Sequence, residues 1–137
     1  MTAPTSTPIP IPDPDSAGFW EATRSGTLSI ARCTECRRWQ HPPQELCRYC
    51  GSTVAFEPVS GRGEVFSFIL VRQQTVPGHQ VPYVVALVQL EEDPQIRVSG
   101  IVQGPIEAVQ IGLPVEARMV PVGETGLCAP EFVPARN

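Results

Sequence analysis

The chain has 137 residues and a formal net charge of −4, and its ten basic residues are all arginine. That balance argues against a nucleic-acid binder, whose phosphate contacts call for a basic face, and no apolar run approaches the roughly 18 residues needed to span a bilayer. Sixteen prolines and eleven glycines favour short strands, turns and extended segments over long helices.

Residues 1–14 carry prolines at 4, 8, 10, 12 and 14 and little to bury, so an extended, polyproline-like tail is expected. Residues 15–26 read as a short helix. Asp15 or Ser16 is placed to cap its first amides, and Gly26 to end it in a left-handed turn. Phe19 and Trp20 are adjacent and cannot both face one thin core. Either they pack on this chain's own ribbon, or they grip two sides of a cleft or serve a partner interface. Residues 27–32 alternate Leu28 and Ile30 with polar neighbours, as a strand does.

That strand feeds Cys33-Thr34-Glu35-Cys36, and eleven positions later stands Cys47-Arg48-Tyr49-Cys50. Two-residue spacing lets both thiolates of a tight turn point at one ion, and the ten intervening residues suffice for a hairpin, bent at Pro42-Pro43. Four thiolates close a tetrahedron around one structural Zn²⁺ and leave no position for substrate water. Two disulfides would need an oxidising compartment, and no apolar leader precedes Cys33; a soluble, cytoplasmic protein is expected. A thioredoxin-like pair would sit at a helix start in a βαβ unit, which nothing here resembles. With four cysteines in register, His41 reads as a hairpin residue and Cys128 as an isolated thiol. Gly51 follows the second pair where the chain must turn with positive φ. Arg32, Arg37, Arg38 and Arg48 crowd around the ribbon, either to bind an anion or to offset the −2 charge of a Zn(Cys)₄ centre.

From Val54 onward the apolar period is two. Strands are expected at 64–72, 83–90, 95–102 and 115–120, with a turn at 92–94, a short turn or helix at 105–110, and a last apolar pair at Phe132-Val133. Three strands, a short helix and two strands are the order of a five-stranded OB barrel. Residues 73–82 are too long for a tight hairpin and form the loop between the first two barrel strands. His79 at its tip reads as a solvated residue rather than an acid/base group. The organisation expected is a tail at 1–14, helix and ribbon at 15–58, and the OB-fold domain at 59–137, a mainly β chain.

This order of parts resembles the DUF35 family, small acyl-CoA-associated proteins with a rubredoxin-like zinc ribbon and an OB fold. The matching residues are Phe19-Trp20-Glu21, Gly26-Thr27-Leu28, Cys33-x-x-Cys36, Pro42-Pro43, Cys47-x-x-Cys50-Gly51-Ser52, Gly63-Glu64-Val65-Phe66-Ser67 and Ile111-Gly112-Leu113-Pro114-Val115. The likeness runs from about residue 15 to 122. It implies a non-catalytic subunit that binds a thiolase-like (SCP2-type) chain and helps shape its acyl-CoA site. The partner would be an aldolase, as in steroid side-chain breakdown, or a condensing acyltransferase. Zinc would be this chain's own cofactor, acyl-CoA a ligand of the hetero-oligomer.

The residues agree with a passive chemical role: no nucleophile elbow, glycine-rich phosphate loop or nucleophile–base pair occurs. Glu91-Glu92-Asp93 reads as a solvated turn. The alternative is a single-stranded nucleic-acid module, since ribbons and OB barrels both serve that role; −4 net charge and nine aromatics rank it lower. A free-standing hydrolase or CoA-binding enzyme using His79 and the arginines is the third reading.

Overall fold

The computed structural model describes residues 8–76 and 79–135. Residues 1–7 of the proline-rich tail, with Pro4, and Pro77-Gly78 of the long loop lie outside the described residues.

The first half is built on a three-stranded antiparallel sheet. Helix α1 (Ala17–Thr23) precedes β1 (Ser29–Cys33), β2 (Trp39–Gln40) and β3 (Val54–Pro58). The central strand is β1, with Ala31 opposite Gln40 on one side and Phe56 on the other. α1 is shorter than 15–26, and neither Asp15 nor Ser16 caps it with its side chain. Asp13 does that work one turn earlier. Its Oδ1 accepts from the Ser16 amide (2.8 Å) and hydroxyl (2.7 Å), and its carbonyl from the Ala17 amide at 2.8 Å. The Ser16 hydroxyl and amide hold the Asp13 carboxyl below its usual range. Asp15 instead accepts from the Glu45 amide at 3.0 Å, tying the helix start to the second cysteine turn. Gly26 ends the helical segment with φ 78°, a conformation other residues avoid.

The second half is a closed five-stranded barrel. Its strands are β4 (Arg62–Val71), β5 (Tyr83–Leu90), β6 (Arg97–Val102), β7 (Pro114–Pro121) and β8 (Cys128–Pro134), with a 3₁₀ turn at Ile106–Ala108. They close in the order β4-β5-β6-β8-β7, with β6 and β8 parallel, which is OB topology. Alternation on β5 sends Val84, Ala86, Val88 and Leu90 inward, opposite Val102, Gly100 and Val98 of β6. Gly100 is required by close approach: a Cβ there would lie 2.8 Å from the Pro130 carbonyl oxygen and 2.9 Å from the Phe132 ring. β8 begins earlier than the Phe132-Val133 pair suggests, because Pro130 and Pro134 read as breakers. They are tolerated because β8 pairs with β6 only at Val102–Phe132 and takes its other pairing from β7.

The halves share one apolar cluster. Ile30 of β1 is buried with Val65, Val88, Val115 and Phe132 of the barrel, and Trp39 and Val59 pack against that group. α1 is seated on both sides. Gly18 lies where a Cβ would overlap the Phe56 ring, and the buried Thr23 hydroxyl donates to the Trp20 carbonyl (2.6 Å) while accepting from the Cys128 amide (3.0 Å). Among the described residues no helix is long and apolar enough to cross a membrane.

Candidate metal centre and adjoining cavity

The two cysteine turns meet where β1 ends. All four sulfurs, of Cys33, Cys36, Cys47 and Cys50, lie within 4.8 Å of one another. Cys33 Sγ is 3.4 Å from Cys50 Sγ, and Cys36 Sγ is 3.7 Å from Cys47 Sγ. These are not disulfide distances, which are about 2.05 Å. A tetrahedral ion with metal–sulfur bonds of about 2.3 Å spaces its sulfurs about 3.8 Å apart, so the cage fits such an ion. Backbone amides aim at the sulfurs: Glu35 (3.4 Å) and Cys36 (3.3 Å) donate to Cys33 Sγ, and Tyr49 (3.3 Å) to Cys47 Sγ. Donors of this kind stabilise thiolates.

The turns hold this shape locally. Cys33 N donates to Arg38 O, Cys47 N to Ser52 O, and Gly51 N to Cys47 O, with Gly51 at φ 78°. The Ser52 hydroxyl and amide beside Cys50 bring its thiol down to about 6. Burial pushes the Cys47 thiol up, but the amides of Cys50 and Tyr49 and the neighbouring sulfurs outweigh it and leave it lowered. At Cys36 a backbone hydrogen bond at Arg38 pulls down, while burial and the three other sulfurs drive it up to about 11. A divalent cation among four crowded sulfurs would favour their thiolate forms.

Of the four ribbon arginines, Arg32 and Arg37 both pair with Glu57, at 3.4 and 2.9 Å. Arg32 also stacks 4.4 Å over Trp39, and Arg38 4.5 Å over Tyr49. Arg48 donates to the Pro42 carbonyl at 3.0 Å. Arg38 and Arg48 line a polar cleft of about 480 Å³ with Tyr49, His41 and Asp93. The acidic turn is stitched into the barrel: Glu91 pairs with Arg62 at 2.8 Å and Glu92 accepts from the Ser60 amide at 2.7 Å. The Ser60 hydroxyl and Arg62 lower the Glu91 carboxyl.

A larger cavity of about 750 Å³ opens between α1, the turn after β2 and the outer wall of β6 and β8. Phe19 and Trp20 meet edge to face, centroids 5.0 Å apart, and both line it, Phe19 buried and Trp20 half-buried. The two rings therefore share one cavity, so self-packing and a role in a cleft are not exclusive. Its other walls include His41, Ile101 and Pro130. His79 is not a solvated tip. It packs edge-on against Tyr83 at 5.5 Å, half-buried at the cavity beside Val76 and Val85. His41 lies 6.0 Å from Phe19, also at the cavity, and its Nδ1, like that of His79, is buried with no hydrogen-bond partner among the described residues. The barrel residues of this wall carry no signal in sequence, since only the strand order brings them beside the helix. Cys128 is half-buried in β8, apart from the cage.

A four-cysteine ribbon with a helix before it and an OB barrel after it defines a two-part metal-ribbon protein. Two family models match in that order: "ChsH2, rubredoxin-like zinc ribbon domain" over residues 20–57 and "ChsH2, C-terminal OB-fold domain" over 56–120. A DUF35 domain-containing scaffold protein of Methanocaldococcus jannaschii is 35% identical over 99 residues, 69% of either chain. The chain belongs to the DUF35 family. In the solved Ltp2-ChsH2(DUF35) aldolase, one chain is similar at 33% identity and TM-score 0.85, over 93% of this chain and 100% of that one. The 3-oxo-4,17-pregnadiene-20-carboxyl-CoA hydratase alpha subunit of Mycobacterium tuberculosis is 37% identical over 117 residues, 84% of this chain and 37% of that protein. The chain spans only about a third of the length of the curated hydratase subunits it matches.

Proposed function

We propose that this chain is a non-catalytic subunit of a thiolase-like (SCP2-type) aldolase or acyltransferase complex acting on acyl-CoA. The reaction favoured is retro-aldol cleavage in steroid side-chain degradation. The carrying observation is the end-to-end likeness to the DUF35 chain of an aldolase, and the relative named for a steroid-type carboxyl-CoA substrate supports the same class of ligand.

In this reading Cys33, Cys36, Cys47 and Cys50 hold one structural Zn²⁺, whose bound state contributes folding free energy of order 10 kcal/mol. Phe19 and Trp20 present the cavity to the partner, whose groups perform the chemistry. The ribbon unit at 15–58 and the barrel at 59–137 then divide the work, one anchored by metal and the other by packing. Co-expression with a thiolase-like chain should give a complex that co-elutes, with aldolase activity that the partner lacks alone. Separate elution together with full activity of the partner by itself overturns the proposal.

A further inference from the structure

Strand β4 is half paired. It pairs with β5 from position 63 to 71, but with β7 only from 62 to 64. Two further bonds join the Val65 amide to the Leu113 carbonyl and the Gly112 amide to the Val65 carbonyl. Beyond the bulge between Val65 and Ser67, residues 67–71 have no strand on that side among the described residues. Backbone groups alternate along an antiparallel strand between facing and leaving the neighbour. Val65 turns away from β5, the bulge adds one residue, and so Phe68 and Leu70 direct their N–H and C=O groups to the empty side.

This edge is apolar. Ile69 is 63% exposed and Phe68 39%, and residues 67–71 contain no charge and no proline, the devices that ordinarily blunt an open edge. Cations flank it. Arg72 follows at once, and the Arg97 guanidinium lies 3.8 Å over the Phe66 ring at the bulge. Among the described residues neither arginine is in an ion pair.

We propose that residues 67–71 of β4 accept an extended segment of a partner protein, apolar at alternate positions and acidic at both ends, which adds as a further strand. Strand addition supplies main-chain hydrogen bonds to Phe68 and Leu70, and the flanking arginines set the charge of the occupant. A second copy of this chain fits less well. Antiparallel self-pairing about Ile69 places Arg72 of one copy opposite Phe66 of the other, where Arg97 already sits. The inference goes beyond the subunit reading and does not depend on which protein supplies the segment.

The test uses the zinc-loaded full chain and a synthetic seven-residue peptide with aspartate at both ends and alternating valine and threonine between. Amide hydrogen exchange at Phe68 and Leu70 should slow about tenfold or more with peptide, while amides facing β5 stay as they are. A peptide with lysine ends should bind about tenfold more weakly. Leu70→Pro removes an outward N–H without touching the β5 ladder and should abolish the protection. Ile69→Asp, at an exposed side chain, should weaken binding without disturbing the fold. No slowing at millimolar peptide overturns the proposal. So does equal binding by Leu70→Pro, or protection that rises with protein concentration alone, which would assign the edge to a second copy. Co-elution with a thiolase-like chain is a separate measurement, so failure here leaves the subunit reading standing.

Discussion

What fills the interior differs sharply between the two halves. In the barrel, Val65, Val84, Val88, Leu90, Val115 and Phe132 are closed off from solvent and touch one another. The ribbon's fully enclosed side chains include Cys33 and Gln40, and its one large aliphatic among them, Ile30, belongs to the barrel's cluster. Beyond a thin buried layer of Phe19, Leu28, Ala31 and Cys47, the ribbon is held by surface chemistry: arginines stacked on Trp39 and Tyr49 and paired to Glu57. Exposed ion pairs are worth about 0–1 kcal/mol, and stacked cations about as much. The barrel can therefore stand on apolar burial, whereas the ribbon depends on whatever its sulfurs grip.

The largest effect should come from breaking that grip. Cys33→Ser, or removal of metal by a chelator, is expected to unfold residues 29–58 with a loss of order 10 kcal/mol, while the barrel keeps its β5 amide protection. Metal analysis of the intact chain should find about one zinc. Loss of β5 protection together with the ribbon would show that the halves do not separate. The complementary change is Phe132→Ala, at a side chain with no exposure. It should destabilise the barrel by about 3–5 kcal/mol in denaturant unfolding while the folded fraction retains its zinc.

The cysteine spacing announced the cage because a tetrathiolate needs only two tight turns, which are local. The barrel strands showed for the same reason, since alternation in 83–90 is written residue by residue. What sequence left unread is what topology assembles. Nothing near Ile101 or Pro130 says that they face Trp20; only the β6–β8 pairing and the Thr23–Cys128 hydrogen bond bring them there. His79 reads as solvated in sequence because no local pattern records its ring contact with Tyr83. Asp13 is hidden inside a proline-rich stretch that reads as an extended tail, although an acid three residues before Ser16 is an ordinary cap geometry.

Between the two regimes lies the seat of α1, and Gly18→Ala probes it. Alanine improves helix propensity by about 0.5–1 kcal/mol, but its Cβ meets the Phe56 ring. Overpacking costs about 1–3 kcal/mol, so the net change expected is destabilisation by about 1–2 kcal/mol. Phe56→Leu alone should also destabilise. The double variant should recover much of the Gly18→Ala loss, because the clashing ring is gone. Full additivity in the cycle would mean that the helix rests elsewhere.

The smallest effect is electrostatic and sits where the two halves adjoin. Burial first, and the Arg48 charge second, lower the His41 pKa from its ordinary 6.5. Above 6.5 the imidazole is neutral whether the chain is folded or not, and its contribution to stability is present in full. As pH falls below 6.5 the unfolded chain takes up a proton that the folded chain refuses, so stability declines until the folded value is passed. One proton sets a ceiling of about 1.4 kcal/mol per pH unit on that slope, and the half-buried position keeps it lower. Denaturant unfolding at pH 7.5 and 5.5 should show a smaller drop in His41→Gln than in the parent chain. Any effect of acid on the four-cysteine cage is common to both proteins and cancels in the difference. Arg48→Gln removes the second cause alone and should leave part of the drop, because the larger cause is burial beside Phe19 rather than charge. An identical pH dependence in all three chains would mean that His41 is as well solvated folded as unfolded, and the cavity wall would then be open to water.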